Sequence, residues 1–262
     1  MAQSTLTPPA RSLPVPATRT SGPDPLARIS PAAREAWRLT SLSSLPPDVT
    51  RTILAQAVET RAGAGDVLYR GADHAETAVF GVVVDGLLRF YVHAPDGRSM
   101  TVRYAGRGEL VGVRGLALET STGPASQRYG GRALNGEALQ NSTLLLLPRT
   151  TVTALARRRA ELSWALTGEI ARQAMLDQEL IATNVFSPIR ARVARHLLML
   201  GVKQGQELVL RVSHQEIADA IGSVREVVSR ALCRFQDEGL VERRGRLTVL
   251  RDPRALYQAS LG

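Results

Sequence analysis

Residues 213–230 read SHQEIADAIGSVREVVSR and carry two helix-start signals ten residues apart. In each signal a Ser is followed three residues later by a Glu, first at Ser213 and again at Ser223, which is the spacing of a capping box. Ten residues leave room for one short helix, a tight turn at Gly222 and the start of a second helix. Glycine tolerates the left-handed backbone that such a turn requires. The stretch therefore predicts a helix-turn-helix.

The two faces of the predicted motif differ in character. Small or apolar side chains at helical spacing predict the inner face: Ile217, Ala218, Ile221, Val224, Val227, Val228, Ala231, Leu232 and Phe235. Polar side chains near the start of the second helix predict the outer face: Arg225, Glu226, Ser229 and Arg230. That end enters the DNA major groove in this motif, where Arg can donate to guanine, Glu can accept from cytosine, and Ser can reach a base or a phosphate. A solvated face with a Glu226–Arg230 ion pair is the alternative interpretation.

Basic residues follow the motif. Residues 240–250 read LVERRGRLTVL and predict two short strands that meet at Gly245. Arg243, Arg244 and Arg246 surround this tip and predict a basic wing against the phosphate backbone. The helix starts add further predicted DNA contacts, for which helix capping is the alternative: Ser213, His214 and Ser223.

Helices are predicted before the motif. Ser187 followed by Pro188 predicts an N-cap and the start of a helix that runs to Leu200 and stops at Gly201. Residues 151–184 predict one long helix with an apolar stripe spaced mostly by fours: Leu162, Leu166, Ile170, Ala174, Leu176 and Leu180. This stripe can be buried on the helix's own barrel or on the same helix of a second copy. We expect the dimer, because a two-fold arrangement makes the DNA-binding segment useful.

The N-terminal half predicts strands. Residues 41–60 are expected to be helical, with Pro46-Pro47 at the start of 48–58. Between residues 63 and 148, short β-branched runs alternate with glycine turns, and Asp85-Gly86 and Asp96-Gly97 predict hairpins. The runs, which indicate an antiparallel barrel or jelly roll, are 67–69, 78–84, 87–93, 100–104 and 144–147.

These patterns predict an α+β chain with four parts. They are a disordered Pro-rich tail over 1–38, an effector-sensing β-barrel over 39–150, a dimerisation helix over 151–186 and a winged helix-turn-helix over 187–262. The tail prediction rests on seven of the 14 prolines lying within residues 1–31. The tail lacks the apolar core of a secretory signal, so we expect a cytoplasmic protein.

Composition excludes several classes of protein. The 262 residues carry a net charge of +9, with 32 Arg and a single Lys. Arginine binds phosphates and guanine edges through two parallel hydrogen bonds, so this composition favours a nucleic-acid partner. A GC-rich genome would produce the same preference for Arg over Lys. One cysteine, Cys233, excludes a disulfide framework and a four-cysteine iron–sulfur cluster. The histidines lack metal-ligand spacing, which leaves only His74 or His93 as a weak haem candidate. No catalytic motif and no membrane span are found, so neither an enzyme nor a membrane partner is expected.

The quoted stretch resembles the DNA-binding signature of the Crp/Fnr family of bacterial transcription regulators. The resemblance continues through 235–241 and the wing, includes the glycine-containing runs 63–71 and 103–112, and covers roughly residues 40–258. It implies a cyclic-nucleotide-binding-type barrel, a long dimerisation helix and a winged helix-turn-helix. Arg225, Glu226 and Arg230 match the base-reading positions of the catabolite-activator branch, and Glu226, Ser229 and Arg230 match those of the Fnr branch. The resemblance thus implies a homodimer on double-stranded DNA that reads a palindrome with TGA-type half-sites. RNA polymerase is a further expected partner.

The resemblance also implies an effector site. Gly108-Glu109-Leu110 matches the start of the family's phosphate-binding cassette, in which backbone amides hold the phosphate and Glu holds the ribose. Arg132, with Arg128 as the alternative, aligns with the phosphate-pairing Arg, while Ala133 stands where nucleotide binders carry a hydroxyl residue. Asp177 lies near the base-contacting positions of the long helix. A cyclic nucleotide such as cyclic AMP is therefore a candidate ligand, and no metal is expected. An effector-independent, architectural DNA-binding protein with a degenerate nucleotide pocket is the alternative.

Overall fold

The computed structural model describes residues 29–69, 79–93, 99–119, 134–205, 207–245 and 247–261. These residues form two compact units. The first contains the described residues up to Phe90 together with Arg103–Met175, and the second contains the described residues of Tyr91–Val102 and those from Leu176 onward. Within the described part of the chain, no helix is both long enough and apolar enough to cross a membrane.

A helix precedes the barrel where the tail was predicted. Helix α1 spans Pro31–Leu39, and the hydroxyl of Ser30 caps it by accepting a hydrogen bond of 3.1 Å from the amide of Ala33. Its apolar face, which includes Trp37, is buried in the core of the first unit. The prediction of a disordered tail is therefore wrong for residues 31–38, because this face finds a core to pack in. Residues 1–28 lie outside the described part.

The predicted helix over 41–60 is also partly wrong. The structure has a 3₁₀ turn at Ser41–Ser44, helix α2 at Pro47–Leu54 and strand β1 at Val58–Ala62. Strand β1 pairs along its whole length with a strand at Ser142–Leu146, from Val58 opposite Leu146 to Ala62 opposite Ser142. A partner strand about 80 or more positions away supplies hydrogen bonds that no local pattern could reveal.

The barrel is confirmed and consists of two four-stranded sheets, which are antiparallel wherever the register of a strand pair is described. In the described residues, the first sheet has the strand order β1-β8-β3-β6 and the second has the order β2-β7-β4-β5. The strands after β1 are β2 Val67–Tyr69, β3 Gly81–Asp85, β4 Leu88–His93, β5 Ser99–Ala105, β6 Leu110–Val111, β7 Asn135–Ala138 and β8 Ser142–Leu146. The predicted runs thus lie on β2, β3, β4, β5 and β8, as expected for a jelly roll.

One predicted hairpin is wrong and one is supported. Asp85-Gly86 joins β3 to β4, but these strands belong to different sheets, so the turn is a crossing between sheets. Gly86 has φ +98°, and a Cβ there would lie 2.2 Å from the hydroxyl of Ser142. Glycine is therefore required for both conformation and space. Strands β4 and β5 are neighbours in one sheet, as a hairpin at Asp96-Gly97 predicts, although these two residues lie outside the described part.

The long helix is interrupted near its predicted start. Helix α3 spans Val113–Glu119, α4 spans Arg149–Ala156 and α5 spans Ala160–Phe186. A single helix from residue 151 was predicted, but the chain breaks at 157–159. There Arg159 reaches Asp48 at 2.5 Å, and the hydroxyl of Ser163 donates to the carbonyl of Ala156. The 27 residues of α5 correspond to about 40 Å of helix.

The second unit is a winged helix-turn-helix, as predicted. Helix α6 begins at Ile189, with Pro188 as its N-cap residue, one position later than predicted, and it ends before Gly201 as predicted. The later elements are β9 Val202–Gln204, β10 Glu207–Leu210, α7 His214–Ile221, α8 Arg225–Asp237, β11 Val241–Arg244, β12 Leu247–Leu250 and α9 Pro253–Ser260. Their sheet has the order β11-β12-β10-β9. The core of the second unit contains the fully buried side chains of Leu197, Ile217, Phe235 and Leu256.

Candidate nucleic-acid interface and effector site

The first helix start of the motif forms as predicted. The hydroxyl of Ser213 accepts from the amide of Glu216 at 3.1 Å, and the carboxylate of Glu216 accepts from the amide of Ser213 at 2.6 Å. This is a complete capping box at the start of α7. The helix ends at Gly222, whose φ of +66° is the predicted left-handed turn. Because the hydroxyl of Ser213 already accepts a helix amide, its first role is structural.

The second capping box does not form. The N-cap residue of α8 is Val224, no side chain caps this helix, and Arg225 is its first residue. The helix begins one position later than predicted because the amide of Ser223 still donates to the carbonyl of Ala218, at 2.9 Å, and so belongs to the turn. Glu226 is therefore exposed rather than folded back onto a helix amide. Val224, predicted for the inner face, is also exposed.

The predicted reading face presents free charges. Arg225, Glu226 and Arg230 are exposed, and none of them makes an ion pair or hydrogen bond through its side chain with a described residue. The alternative Glu226–Arg230 ion pair is therefore absent among these residues. The opposite face of α8 holds Val228, Ala231, Leu232 and Phe235 in the core. The helix is anchored on one side and offers two guanidinium groups and one carboxylate on the other.

His214 links α8 to the wing. Its Nδ1 lies 2.7 Å from the hydroxyl of Ser229, and its Nε2 lies 3.4 Å from a guanidinium nitrogen of Arg243. Ser229, predicted to reach DNA, is thus half-buried and already hydrogen-bonded. Burial lowers the pKa of His214 below its ordinary value, and the positive charges of Arg243 and Arg225 lower it further. A neutral imidazole is therefore favoured between the two elements.

This environment predicts a pH dependence of folding stability. Since the folded pKa of His214 lies below the unfolded value of about 6.5, the unfolded chain binds more protons between those two values. The stabilising contribution is thus complete above about pH 6.5 and is lost as the pH falls through that window. Replacing His214→Gln should remove this loss, so urea midpoints of wild type and variant should diverge between about pH 7.5 and 5.5. Parallel midpoint profiles would contradict the assignment.

The two arginines of the described wing have different surroundings. Arg244 pairs with Glu242 at 2.9 Å and with Glu207 at 3.0 Å, whereas the guanidinium of Arg243 contacts only His214 and the carbonyl of Gly245 among the described residues. Successive side chains of a strand point to opposite faces, which separates the two. Arg243 therefore lies on the side of α7 and α8, and Arg244 does not. Arg246 lies outside the described residues.

This asymmetry predicts unequal roles in DNA binding. Arg243→Ala should weaken binding to all DNA sequences alike and reduce the slope of log Kobs against log salt concentration by about 1. Arg244→Ala should leave the slope unchanged, because its charge is already neutralised by Glu242 and Glu207. Binding isotherms over a salt series measure both slopes. Equal slope changes in the two variants would show that the ion pairs do not withhold Arg244 from DNA.

The glycine turn before β6 is largely occupied by the protein's own groups. The amide of Gly108 donates to the carbonyl of Val83 at 2.8 Å, and the amide of Glu109 donates to the carbonyl of Gly106 at 3.0 Å. Gly108 has φ +81°, and a Cβ there would lie 2.5 Å from the Cβ of Leu39. These two amides are therefore not available to cradle a phosphate in this conformation.

The carboxylate expected to hold a ribose also has partners. Glu109 accepts from the amide of Gly106 at 2.9 Å and lies 3.5 Å from the guanidinium of Arg172 on α5. Leu110 is buried and pairs with β3 as part of the sheet. Asp177 is half-buried on α5. Arg128, Arg132, Ala133 and His74 lie outside the described residues, so the effector set stays a prediction.

Buried polar residues of α5, which were not predicted as site residues, contact the same glycine turn. Gln173 donates to the carbonyl of Leu110 at 3.0 Å and to Glu169 at 2.6 Å, and Arg172 donates to Glu169 at 2.7 Å. Burial alone would raise the pKa of Glu169, but the hydrogen bonds from Arg172 and Gln173 outweigh it, and the pKa is lowered. The sequence signal that could have predicted this contact is the pair Glu169 and Gln173, two polar residues four positions apart beside the apolar stripe of α5.

Comparisons with known proteins agree with both units. The sequence model for a cyclic nucleotide-binding domain matches residues 59–159, and that for a Crp-like helix-turn-helix domain matches residues 191–259. A relative named transcriptional regulator LdrP, from Thermus thermophilus, is 32% identical over 177 residues, which is 66% of this chain and 82% of the relative. The cyclic AMP receptor protein of the same organism is 30% identical over 184 residues, or 69% and 79% of the two chains.

Solved structures share the fold. A CRP-family transcriptional regulator from Thermus thermophilus has a TM-score of 0.61 at 28% identity and covers 78% of this chain and 97% of that chain. A Crp/Fnr-family regulator from Eubacterium rectale has a TM-score of 0.68 at 20% identity and covers 86% of this chain and all of that chain. Together with the exposed reading face on a capped helix-turn-helix, these matches assign the protein: it belongs to the Crp/Fnr family of transcription regulators.

Proposed function

We propose that the protein is a dimeric, sequence-specific regulator that reads a palindrome with TGA-type half-sites in double-stranded DNA. The observation that supports this most directly is that Arg225, Glu226 and Arg230, at the start of α8, have no side-chain partner among the described residues. A guanidinium can donate two hydrogen bonds to guanine O6 and N7, and a carboxylate can accept from cytosine N4. A TGA half-site contains one G·C pair that offers both partners.

The long helix supports the dimer. Large apolar side chains of α5 remain exposed in one chain, with exposed fractions of 75% for Trp164, 70% for Met175 and 63% for Val185. The positions between them on the same face carry small residues and one Gln, and the whole set follows the alternating spacing of three and four that is typical of paired helices. These positions are Gly168, Ala171, Gln178 and Ala182. A second copy would cover this stripe and place the two reading heads about 34 Å apart, one DNA turn. Sedimentation at micromolar concentration should give twice the 28.3 kDa chain mass.

The hydrogen bonds already made within the glycine turn support a second candidate function, in which DNA binding needs no effector. The carboxylate of Glu109 is held by Arg172 and Gly106, and the amides of Gly108 and Glu109 are already used. A cyclic nucleotide would have to displace these contacts. Control by a small ligand in the barrel and effector-independent, architectural binding therefore predict different responses to cyclic AMP.

One selection experiment separates these candidates. Random oligonucleotides are enriched on the purified protein at fixed salt, with and without cyclic AMP. A palindrome with a TGA-type core in both arms supports an effector-independent regulator, and the same palindrome only with nucleotide supports ligand control. No enriched motif in either arm would contradict sequence-specific reading and would favour the architectural alternative, whose affinity is flat across sequences. As a regulator of transcription, the protein would act beside RNA polymerase in the cytoplasm, and binding to promoter-bound polymerase would test that partner.

A further inference from the structure

A cavity of about 250 Å³ lies in the first unit between α3, α4 and the first half of α5. Val113, Leu116, Leu166 and Ile170 contribute apolar walls, and the first three of these side chains are buried. A cavity of about 150 Å³ is enough for benzene, so this one has room for a ligand of roughly eight to ten carbons. Among the described residues, its lining includes none of those predicted to bind a nucleotide.

Two of the polar groups that line the cavity lie where α4 ends. Arg157 follows the last residue of α4, and Thr153 lies one turn earlier on the same helix. Neither side chain makes a hydrogen bond or ion pair with a described residue. Two other hydroxyls of the lining have already donated their hydrogens, that of Ser163 to the carbonyl of Ala156 and that of Thr167 to the carbonyl of Ser163. The free groups are thus a cation and a hydroxyl donor.

A ligand that satisfies this site has a distinct chemistry. Its apolar body would fill the space between Leu116 and Leu166, and its polar end must accept hydrogen bonds and carry negative charge. A carboxylate meets both conditions, because a guanidinium binds it with two parallel hydrogen bonds and Thr153 can add a third. A phosphate diester would also meet the charge requirement, but the mainly apolar lining favours an aliphatic body over a nucleoside.

We propose that this cavity is a binding site for a small apolar carboxylic acid, held by Arg157 and Thr153 at the end of α4. The site is separate from the glycine turn, and the proposal does not depend on how the protein reads DNA. Because the ligand would contact α3, α4 and α5 at once, its binding would stabilise the first unit by mass action.

Octanoate is a suitable probe, with calorimetry and the thermal midpoint of the intact protein as readouts. We expect saturable binding of one octanoate per chain and a midpoint that rises with octanoate concentration. Arg157→Gln should weaken binding at least about tenfold, and 1-octanol should bind the wild type correspondingly weakly, because both remove the charge-assisted hydrogen bonds. Thr153→Val should have a smaller effect in the same direction.

Arg158→Gln is the matched control, since Arg158 is the exposed neighbour of Arg157 and does not line the cavity. It should bind octanoate like the wild type. Both arginines are exposed, so neither substitution is expected to unfold the protein. Absence of saturable binding to the wild type, or equal affinities of wild type and Arg157→Gln, would overturn the proposal. Equal weakening by both variants would indicate general attraction of anions and would overturn it as well.

Discussion

Replacing Phe235→Ala is expected to lower the free energy of unfolding of the second unit by about 3–5 kcal/mol. The ring is fully buried on the inner face of α8, and the guanidinium of Arg190 stacks over it with its central carbon 4.6 Å from the ring centroid. Arg190 in turn donates to the carboxylate of Glu238 from both terminal nitrogens of its guanidinium. Truncation of the Phe235 side chain would leave a cavity beneath α8 and remove the cation–π contact with Arg190.

Urea unfolding can resolve this effect. The chain has two tryptophans, Trp37 and Trp164, and both belong to the first unit. Tryptophan fluorescence should therefore report an unchanged transition, while the loss of helical circular dichroism should begin at lower urea. Tyr257→Ala is the control, because this aromatic side chain of the same unit is exposed and should matter little. A circular dichroism profile like that of the wild type would contradict the central place of Phe235 in the core.

Replacing Arg230→Ala is expected to lower affinity for the selected palindrome by about 1–3 kcal/mol, roughly five- to 150-fold. Arg230 is exposed on the reading face and has no partner among the described residues, so its loss should remove the proposed base contact without opening the core. Affinity for unrelated DNA should change far less, because that binding depends on phosphate charge. Sequence preference should also relax at the guanine that Arg230 is proposed to contact.

Fluorescence anisotropy with the palindrome and with a scrambled duplex, at one salt concentration, measures both affinities. Arg254→Ala removes the same charge from α9, outside the helix-turn-helix and the wing, and should lower the two affinities equally and slightly. If Arg230→Ala retained the sequence preference of the wild type, the assignment of the reading face would be wrong.

The helix-turn-helix could be predicted because its signals are local. The Ser213–Glu216 capping box and the left-handed Gly222 need only a few neighbouring residues, and both formed as expected. The second box resembled the first in sequence, yet it failed because Ser223 remained in the turn set by Gly222. The spacing of a capping box predicts a helix start to within one position, and that position decided whether Glu226 was free.

Other features depended on partners far along the chain. Strand β1 replaced part of a predicted helix because β8 pairs with it, and Gly86 proved to be a crossing between sheets rather than a hairpin. The contact of Glu109 with Arg172 joins the glycine turn to a helix far along the chain. In the wing, Arg243 and Arg244 are neighbours of the same type, and their tertiary partners distinguish them: Arg244 pairs with Glu207 and Glu242, whereas Arg243 contacts His214.

The residues alone were enough to identify the family, the order of barrel, long helix and winged helix-turn-helix, and the charges of the reading face. Helix capping, glycine conformation and helical spacing act over a few residues, so they can be predicted from the sequence alone. Which polar groups are free and which are occupied depended on the tertiary structure. Such pairing joins residues that are distant in sequence, and only packing brings the carboxylates of Glu109 and Glu207 to their guanidinium partners.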